Sequence, residues 1–292
     1  MHDFKVTDVR CQKGDSAFLL DNGTTAILYD SGFGFTGYNV ADNIKAVLGT
    51  RPLDYIFLTH SHYDHALGSA YVLRRYPQAR VVAGRYAAEI FKRDGARRTM
   101  QRLDAAFAAA CGVTDYEFLG NELRVDIPCD DGDCIRIDDD ITFEVLNLPG
   151  HTRCSVGYYS PELQLLLSSE SLGVYDGGTT IVPCYLVSYS DSLRSIDRIL
   201  KLPVKSLLSP HLGIISAEQT QFFMNNMKPA AEACANEFLQ QINDGIPDKE
   251  IIENFKAGYW HGYIREIYPV DAIDLNTSIM IDLIRRELCS AS

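Results

Sequence analysis

A chain of 292 residues that is 46% hydrophobic can bury a large core, as one large domain or as a domain with an appendage. Its formal net charge of −12 argues against nucleic acid as a default partner, because phosphate backbones are gripped by Lys and Arg. No N-terminal stretch joins a basic start to an apolar core, and no apolar run approaches the ~18 residues of a membrane span. A soluble, cytoplasmic protein with no membrane partner is expected.

Eight cysteines are scattered without a C-x-x-C pair, which points to reduced thiols. Cys129 and Cys134 flank Asp130-Asp131-Gly132-Asp133, which reads as a hairpin turn, and no disulfide is expected between them. Residues 17–30 read as a hairpin turning at Asn22-Gly23, since both turn residues tolerate positive φ between two apolar runs. The glycine-rich segment Gly32-Phe33-Gly34-Phe35-Thr36-Gly37 lacks G-x-G-x-x-G spacing and basic residues, so it is expected to be a mobile loop rather than a phosphate site. Asn39 to Leu48 reads as a helix stopped by Gly49.

Leu53 to Leu58 is a short aromatic and β-branched run, hence a buried strand, and Leu67 to Tyr76 has helical spacing. Between them lies Thr59-His60-Ser61-His62-Tyr63-Asp64-His65, a loop at a strand's C-terminal end, where α/β proteins place ligands. Imidazole and carboxylate donors together suit Zn, Fe or Mn better than Mg or Ca. A lone loop histidine is usually a surface side chain. Four such groups in H-x-H-x-D-H order are not, in a chain with only seven histidines.

This stretch resembles the signature of the metallo-β-lactamase fold superfamily, and the remaining signature positions follow in order. After Arg80–Ala83, a strand, residues 85–111 read as one or two Ala- and Arg-rich helices. Arg93, Arg97, Arg98 and Arg102 among them are a candidate basic patch, though such a run reads first as a solvated helix face. In similar proteins this region is an insertion near the site mouth. A second hairpin, Cys134–Ile137 with Ile141–Leu146, delivers Leu148-Pro149-Gly150-His151-Thr152, the next position of the pattern. Two further strands, Val156–Tyr159 and Leu163–Leu167, lead to Ser168-Ser169-Glu170, where most relatives carry a bridging aspartate. Glu170 keeps the carboxylate with one extra methylene, which leaves its bridging role open. Asp191 to Lys201 reads as an amphipathic helix with Leu193, Ile196, Ile199 and Leu200 inward. Val204–Leu208 is a strand, and Ser209-Pro210-His211 supplies the last histidine. His2 and His261 fall outside the pattern.

From Ser216 the chain becomes helical, with a capping box at Ser216-Ala217-Glu218-Gln219 and helices over 217–243, 248–255 and 275–288. The resemblance, over about residues 4–215, implies an α/β (α+β) four-layer αββα sandwich, residues 1–215, with a C-terminal helical extension, residues 216–292. It implies two divalent metal ions, zinc first, with iron or manganese as alternatives. His60, His62 and His151 would hold one and Asp64, His65 and His211 the other, with Glu170 between and Asp64 also the catalytic carboxylate. A water shared by the two ions would then act as nucleophile on a small-molecule carboxylic ester, thioester or lactone. A phosphodiesterase of the same fold, or a metal-bearing regulatory protein with little turnover, is the alternative; a homodimer stays open. Tyr63, Cys154, Cys184, Tyr185 and Tyr189 are near motif positions as substrate contacts, and the Gly258–Tyr263 aromatic stretch either lines the cleft or packs the appendage.

Overall fold

A computed structural model describes residues 4–289 of the chain, so His2 lies outside the described residues. The first half runs β1 (Lys5–Asp8), β2 (Phe18–Asp21), β3 (Ala26–Tyr29), α1 (Gly37–Leu48), β4 (Tyr55–Phe57), α2 (Tyr63–Ala66) and α3 (Gly68–Arg75). It continues through β5 (Arg80–Gly84), α4 (Arg85–Phe91), α5 (Asp94–Ala110) and β6 (Ile127–Cys129). The second half runs β7 (Cys134–Arg136), β8 (Thr142–Asn147), β9 (Val156–Ser160), β10 (Leu165–Leu167), β11 (Val174–Tyr175) and β12 (Ile181–Val182). Then follow α6 (Tyr189–Ile199), β13 (Ser206–Ser209), β14 (Gly213–Ile214), α7 (Ala217–Asn243), α8 (Asp248–Tyr259), α9 (Gly262–Ile267) and α10 (Val270–Glu287).

Strands β1 to β6 form one sheet in sequence order, and a second sheet has the order β14-β13-β10-β9-β8-β7. Both are mixed: β3, β4 and β5 pair in parallel, as do β10 and β13, while the hairpins pair antiparallel. Side chains alternate along each strand and so serve two cores. Phe18, Leu20, Ile27 and Tyr29 face Phe143, Val145, Tyr158 and Leu167 of the other sheet. Leu19, Leu28 and Ile56 face the opposite way, onto Val40 and Ile44 of α1 and Val72 of α3. On the far side Leu146, Tyr159 and Leu166 pack on Ile196 and Ile199 of α6 and Phe223 and Met227 of α7. The result is the four-layer αββα sandwich expected above. Tyrosine hydroxyls stitch the sheets: Tyr29 donates to the Ser168 carbonyl (2.6 Å) and Tyr158 to the Leu58 carbonyl (2.7 Å).

Several expectations need correction. The first hairpin has a four-residue loop, because Asn22 Oδ1 accepts the amides of Thr24 (3.1 Å) and Thr25 (2.8 Å) and delays the second strand to Ala26. Residues 130–133 are no hairpin turn within one sheet; they cross from β6 in the first sheet to β7 in the second, and both flanking cysteines are free. Leu200 is 42% exposed, lying past the end of α6. Helix α9 and the β11–β12 pair had no signal in periodicity because each is too short to show one. The capping box at Ser216 and Gln219 is present with both hydrogen bonds. No helix among the described residues is long and apolar enough to cross a membrane.

The glycine-rich segment is pinned rather than mobile. Asp15 Oδ1 accepts the Phe33 amide (2.9 Å) and the Thr36 hydroxyl (3.1 Å), and Asp104 Oδ1, from α5, accepts the Gly34 amide (2.9 Å). Phe33 stacks on Phe107 with ring centroids 4.5 Å apart. Gly68, at the start of α3, lies so close to this segment that a Cβ would stand 1.8 Å from the Ser31 carbonyl oxygen.

Two stability measurements test this account. Gly68→Ala should lower stability to urea unfolding by about 3 kcal/mol, an overpacking cost with backbone on one side. Gly95→Ala, where a Cβ meets nothing within 4 Å, should shift it by less than about 1 kcal/mol. Burial pushes the Asp104 carboxyl up to about 6 from an ordinary 3.8, so folding takes up a proton there. Its contribution is fully present below pH 4 and is lost as pH rises through 6. Unfolding curves of Asp104→Asn and wild type should therefore diverge in the variant's favour by on the order of 2 kcal/mol between pH 4 and pH 7.

Candidate metal centre

The strand ends that carry the histidine motifs converge at one edge of the sandwich. Parallel pairing of β3 with β4 brings Asp30 beside Thr59 and His60, and parallel pairing of β10 with β13 brings Glu170 beside His211. The Val156 amide donates to the Thr59 carbonyl (2.8 Å) and joins the two edges. His62 ends in extended conformation, after which Tyr63–Ala66 turn as one helical turn rather than as the loop expected; this swings Asp64 and His65 inward. His151 follows Gly150, whose φ of +132 and contact with Ser192 exclude any side chain; a Cβ would meet Ser192 Oγ at 2.1 Å. Glu170 opens a short 3₁₀ turn over Glu170–Leu172.

Four of the five imidazoles are fixed by one nitrogen and present the other; His62 instead meets its neighbour, with Nδ1 3.0 Å from His151 Nε2. His65 Nδ1 lies 2.7 Å from Asp30 Oδ2, His151 Nδ1 2.9 Å from the Cys184 carbonyl, and His60 Nδ1 3.0 Å from Thr59 Oγ1. His211 Nδ1 is 3.4 Å from the Asp15 carbonyl. Asp30 is itself held, accepting the Thr59 amide (2.8 Å) and the Ser16 hydroxyl (2.9 Å). Such partners set ring orientation and raise the basicity of the free nitrogen. Asp30 and His211 both have left-handed backbone, φ 50 and 61. Conformations of this kind cost of order 1–3 kcal/mol and persist where surroundings enforce them. For His211 the enforcers are Arg10 Nη1 and the Tyr263 hydroxyl, which both donate to its carbonyl.

Glu170 is 2% exposed, so it is no surface glutamate. Its Oε2 lies 2.9 Å from His151 Nε2 and 3.4 Å from both His60 Nε2 and His65 Nε2, while Oε1 lies 3.3 Å from His211 Nε2. The donor atoms fall into two groups, His60, His62, His151 and Glu170 in one and Asp64, His65 and His211 in the other, each within 4.8 Å. All seven residues named from the sequence are thus brought together, with Glu170 reaching both groups.

The Nε2 atoms of His60, His65 and His211 are buried and have no hydrogen-bond partner. Buried polar atoms are rarely left so, and three aimed at one carboxylate are what bound cations would satisfy. Burial opposes charge on His60, His62, His65 and Glu170. For His65 the Asp64 and Asp30 carboxylates overcome it and raise the ring well above the ordinary range. For Glu170 the His151 ring overcomes it and holds the carboxylate well below its usual range. Burial and the His151 ring bring His62 down to about 3. An ionised carboxylate among imidazoles, most of them buried, fits a binuclear metal site.

Of the other residues named, Tyr63 packs on Phe33 and Cys154 Sγ lies 3.3 Å from Ser61 Oγ, both beside the cluster. Cys184 serves through its carbonyl. Tyr185 and Tyr189 do not approach it; they belong to the core beneath α7, α8 and α10. His261 is exposed, whereas Trp260 is partly buried against that same core. Asp30, Arg10 and Tyr268 have no place in the sequence reading, and Tyr263, part of the Gly258–Tyr263 stretch, reaches the His211 carbonyl. Asp30 had a faint signal as an acid ending a buried strand.

The model of the metallo-beta-lactamase superfamily matches residues 14–211, and the chain belongs to that superfamily. A similar curated protein is the metallo-beta-lactamase fold-containing protein ST1585 of Sulfurisphaera tokodaii, 23% identical over 213 residues that cover 70% of this chain and 78% of that one. Among solved structures, the metallo-beta-lactamase family protein TTHA1429 of Thermus thermophilus superposes with a TM-score of 0.60 at 21% identity, covering 93% of this chain and 88% of that one. The stereoselective inverting sec-alkylsulfatase Pisa1 of Pseudomonas sp. does so at 0.59 and 13%, covering 98% of this chain and 50% of that one. These likenesses establish the shared fold.

Replacing Asp30 by Ala touches no donor atom yet frees the His65 ring. Isothermal titration of metal-stripped protein with Zn(II) should show affinity at the Asp64, His65 and His211 group about 10- to 100-fold weaker.

Proposed function

We propose that this protein is a metal-dependent hydrolase of a carboxylic ester, thioester or lactone, with residues 1–215 as its catalytic unit and 216–292 as an accessory appendage. The observation that carries the reading is the Glu170 carboxylate held between two histidine groups, with the inward nitrogens of His60, His65 and His211 buried and without a hydrogen-bond partner. His60, His62 and His151 would hold one ion and Asp64, His65 and His211 the other, with Glu170 between them. Zinc is the first expectation, and iron or manganese would suit the same donors. Two divalent cations there would supply a polarised substrate oxygen and a water whose pKa is lowered toward neutrality.

The residues divide the remaining work. Asp64 is the more accessible carboxylate, its side chain 15% exposed against 2% for Glu170. Its carboxylate is 3.6 Å from His65 Nε2 and 3.9 Å from His211 Nε2. Burial raises its pKa, which suits a group that takes a proton and passes it to a leaving alkoxide or thiolate. The accessible side of the cluster is His62 and Asp64, with Tyr63 between them. Phe33, Phe35 and Phe107 stand beside Tyr63 as an aromatic bank, to which α5 contributes. Phe35 and Phe107 are partly exposed, and their apolar rings suit the hydrocarbon part of an acyl substrate.

Elemental analysis of wild type and Glu170→Ala, beside a panel of activated esters, acyl thioesters and lactones, tests the reading. Near two metals per chain, fewer in the variant, and turnover abolished by chelation and by His62→Ala, are expected. Tight small-molecule binding without metal-dependent turnover would replace the hydrolase by a regulatory protein.

A further inference from the structure

Tyr268 reaches the cluster from the C-terminal helices, outside the stretch matched by the family model. Its hydroxyl donates to Glu170 Oε1, the oxygen that also faces His211, and leaves Oε2 to His60, His65 and His151. Its ring meets His211 edge to face at 5.9 Å. The backbone fixes this placement. Tyr268 precedes Pro269, which keeps it out of the helical region (φ −111, ψ 117), so it projects from the break between α9 and α10. Its carbonyl accepts the Trp260 indole N–H at 2.9 Å, and Tyr263, five residues earlier, grips the His211 carbonyl. Of the two readings of the Gly258–Tyr263 stretch, packing holds: Tyr259, Trp260 and Tyr263 lie on the appendage core, and Trp260 also braces the segment that carries Tyr268.

Resting on the two-ion reading above, we propose that Tyr268 is a positioning residue that orients the Glu170 carboxylate and thereby sets the affinity of the second ion, at Asp64, His65 and His211. The physical need lies in the side chain itself. A glutamate has one more rotatable bond than an aspartate at the same position, and its carboxylate can turn both oxygens toward one histidine group. A donor on Oε1 removes that freedom and holds Oε1 at His211 of the second group, while Oε2 faces His60 and His151 of the first and His65 of the second. It also satisfies a lone pair on a carboxylate that is otherwise surrounded by imidazoles.

The test uses full-length, metal-stripped protein titrated with Co(II), following absorption bands and stoichiometry by elemental analysis, in wild type, Tyr268→Phe, Glu170→Asp and the double variant. Wild type should take up two ions. Tyr268→Phe should keep the first ion's affinity, weaken the second about 10- to 100-fold and shift the second ion's d–d bands. In Glu170→Asp, whose shorter arm falls away from the hydroxyl, adding Tyr268→Phe should change nothing further. Two ions bound by Tyr268→Phe with unaltered affinity and spectrum would overturn the role of Tyr268 and leave the two-ion reading standing. Fewer than two ions in wild type would overturn both. If Tyr268→Phe does not fold, Trp260→Phe, which loosens the Tyr268 backbone and touches no donor atom, should weaken the second ion in the same direction.

Discussion

One buried carboxylate governs this molecule. Glu170 sits in the interior, almost wholly buried, and an isolated ion in such a place would be neutralised instead. It stays ionised because four imidazoles and the Tyr268 hydroxyl approach it, and those imidazoles are available only because other groups have turned them. Asp30, Thr59, Asp15 and Cys184 each hold one ring by its outward nitrogen. The strands, in turn, exist at this edge because alternating apolar residues leave a polar group at each strand end, where the pairing stops. Fold and site are thus one argument: the sandwich supplies the places, and the outward bonds supply the directions.

Much of this was legible in the sequence. H-x-H-x-D-H after a strand, P-G-H-T after another and S-P-H after a third are local signals, each short enough to read without knowing the fold. The layered architecture came with the resemblance, and alternation along β2, β3, β8 and β9 agrees with it. The helical tail was legible too, to the residue at Ser216, because a capping box is a pattern of fixed positions. Helix α10 begins five residues earlier than periodicity suggests, since Pro269 starts it and Val270 and Leu275 face solvent.

What could not be read was everything that depends on long-range placement. Asp15, Asp104 and Arg10 are ordinary surface-type residues in the sequence, and only tertiary structure buries them against the glycine-rich segment and the His211 carbonyl. The segment looked mobile because glycine and phenylalanine carry no local pattern; two carboxylates from distant parts of the chain hold it. The crossing at residues 130–133 looked like a turn because a turn and a crossover use the same residues. Tyr268 is the instructive case. A tyrosine before a proline announces an extended residue, but nothing in its neighbourhood announces that it points at a carboxylate ninety-eight positions away.

The division of the chain between the two sheets has a consequence for assembly. Residues 5–129 build one sheet and carry His60, His62, Asp64 and His65, while residues 134–214 build the other and carry His151, Glu170 and His211. Each donor group draws on both. Neither half alone can therefore offer a complete coordination set, and during synthesis the first half emerges with its histidines unengaged. Full coordination of an ion would then be a late event, complete once the halves have docked, and would add a free energy of RT ln(1 + [L]/Kd) to the docked state. On this reading the centre acts as a clasp between two halves of one chain, and cellular metal supply becomes a term in how long the protein survives.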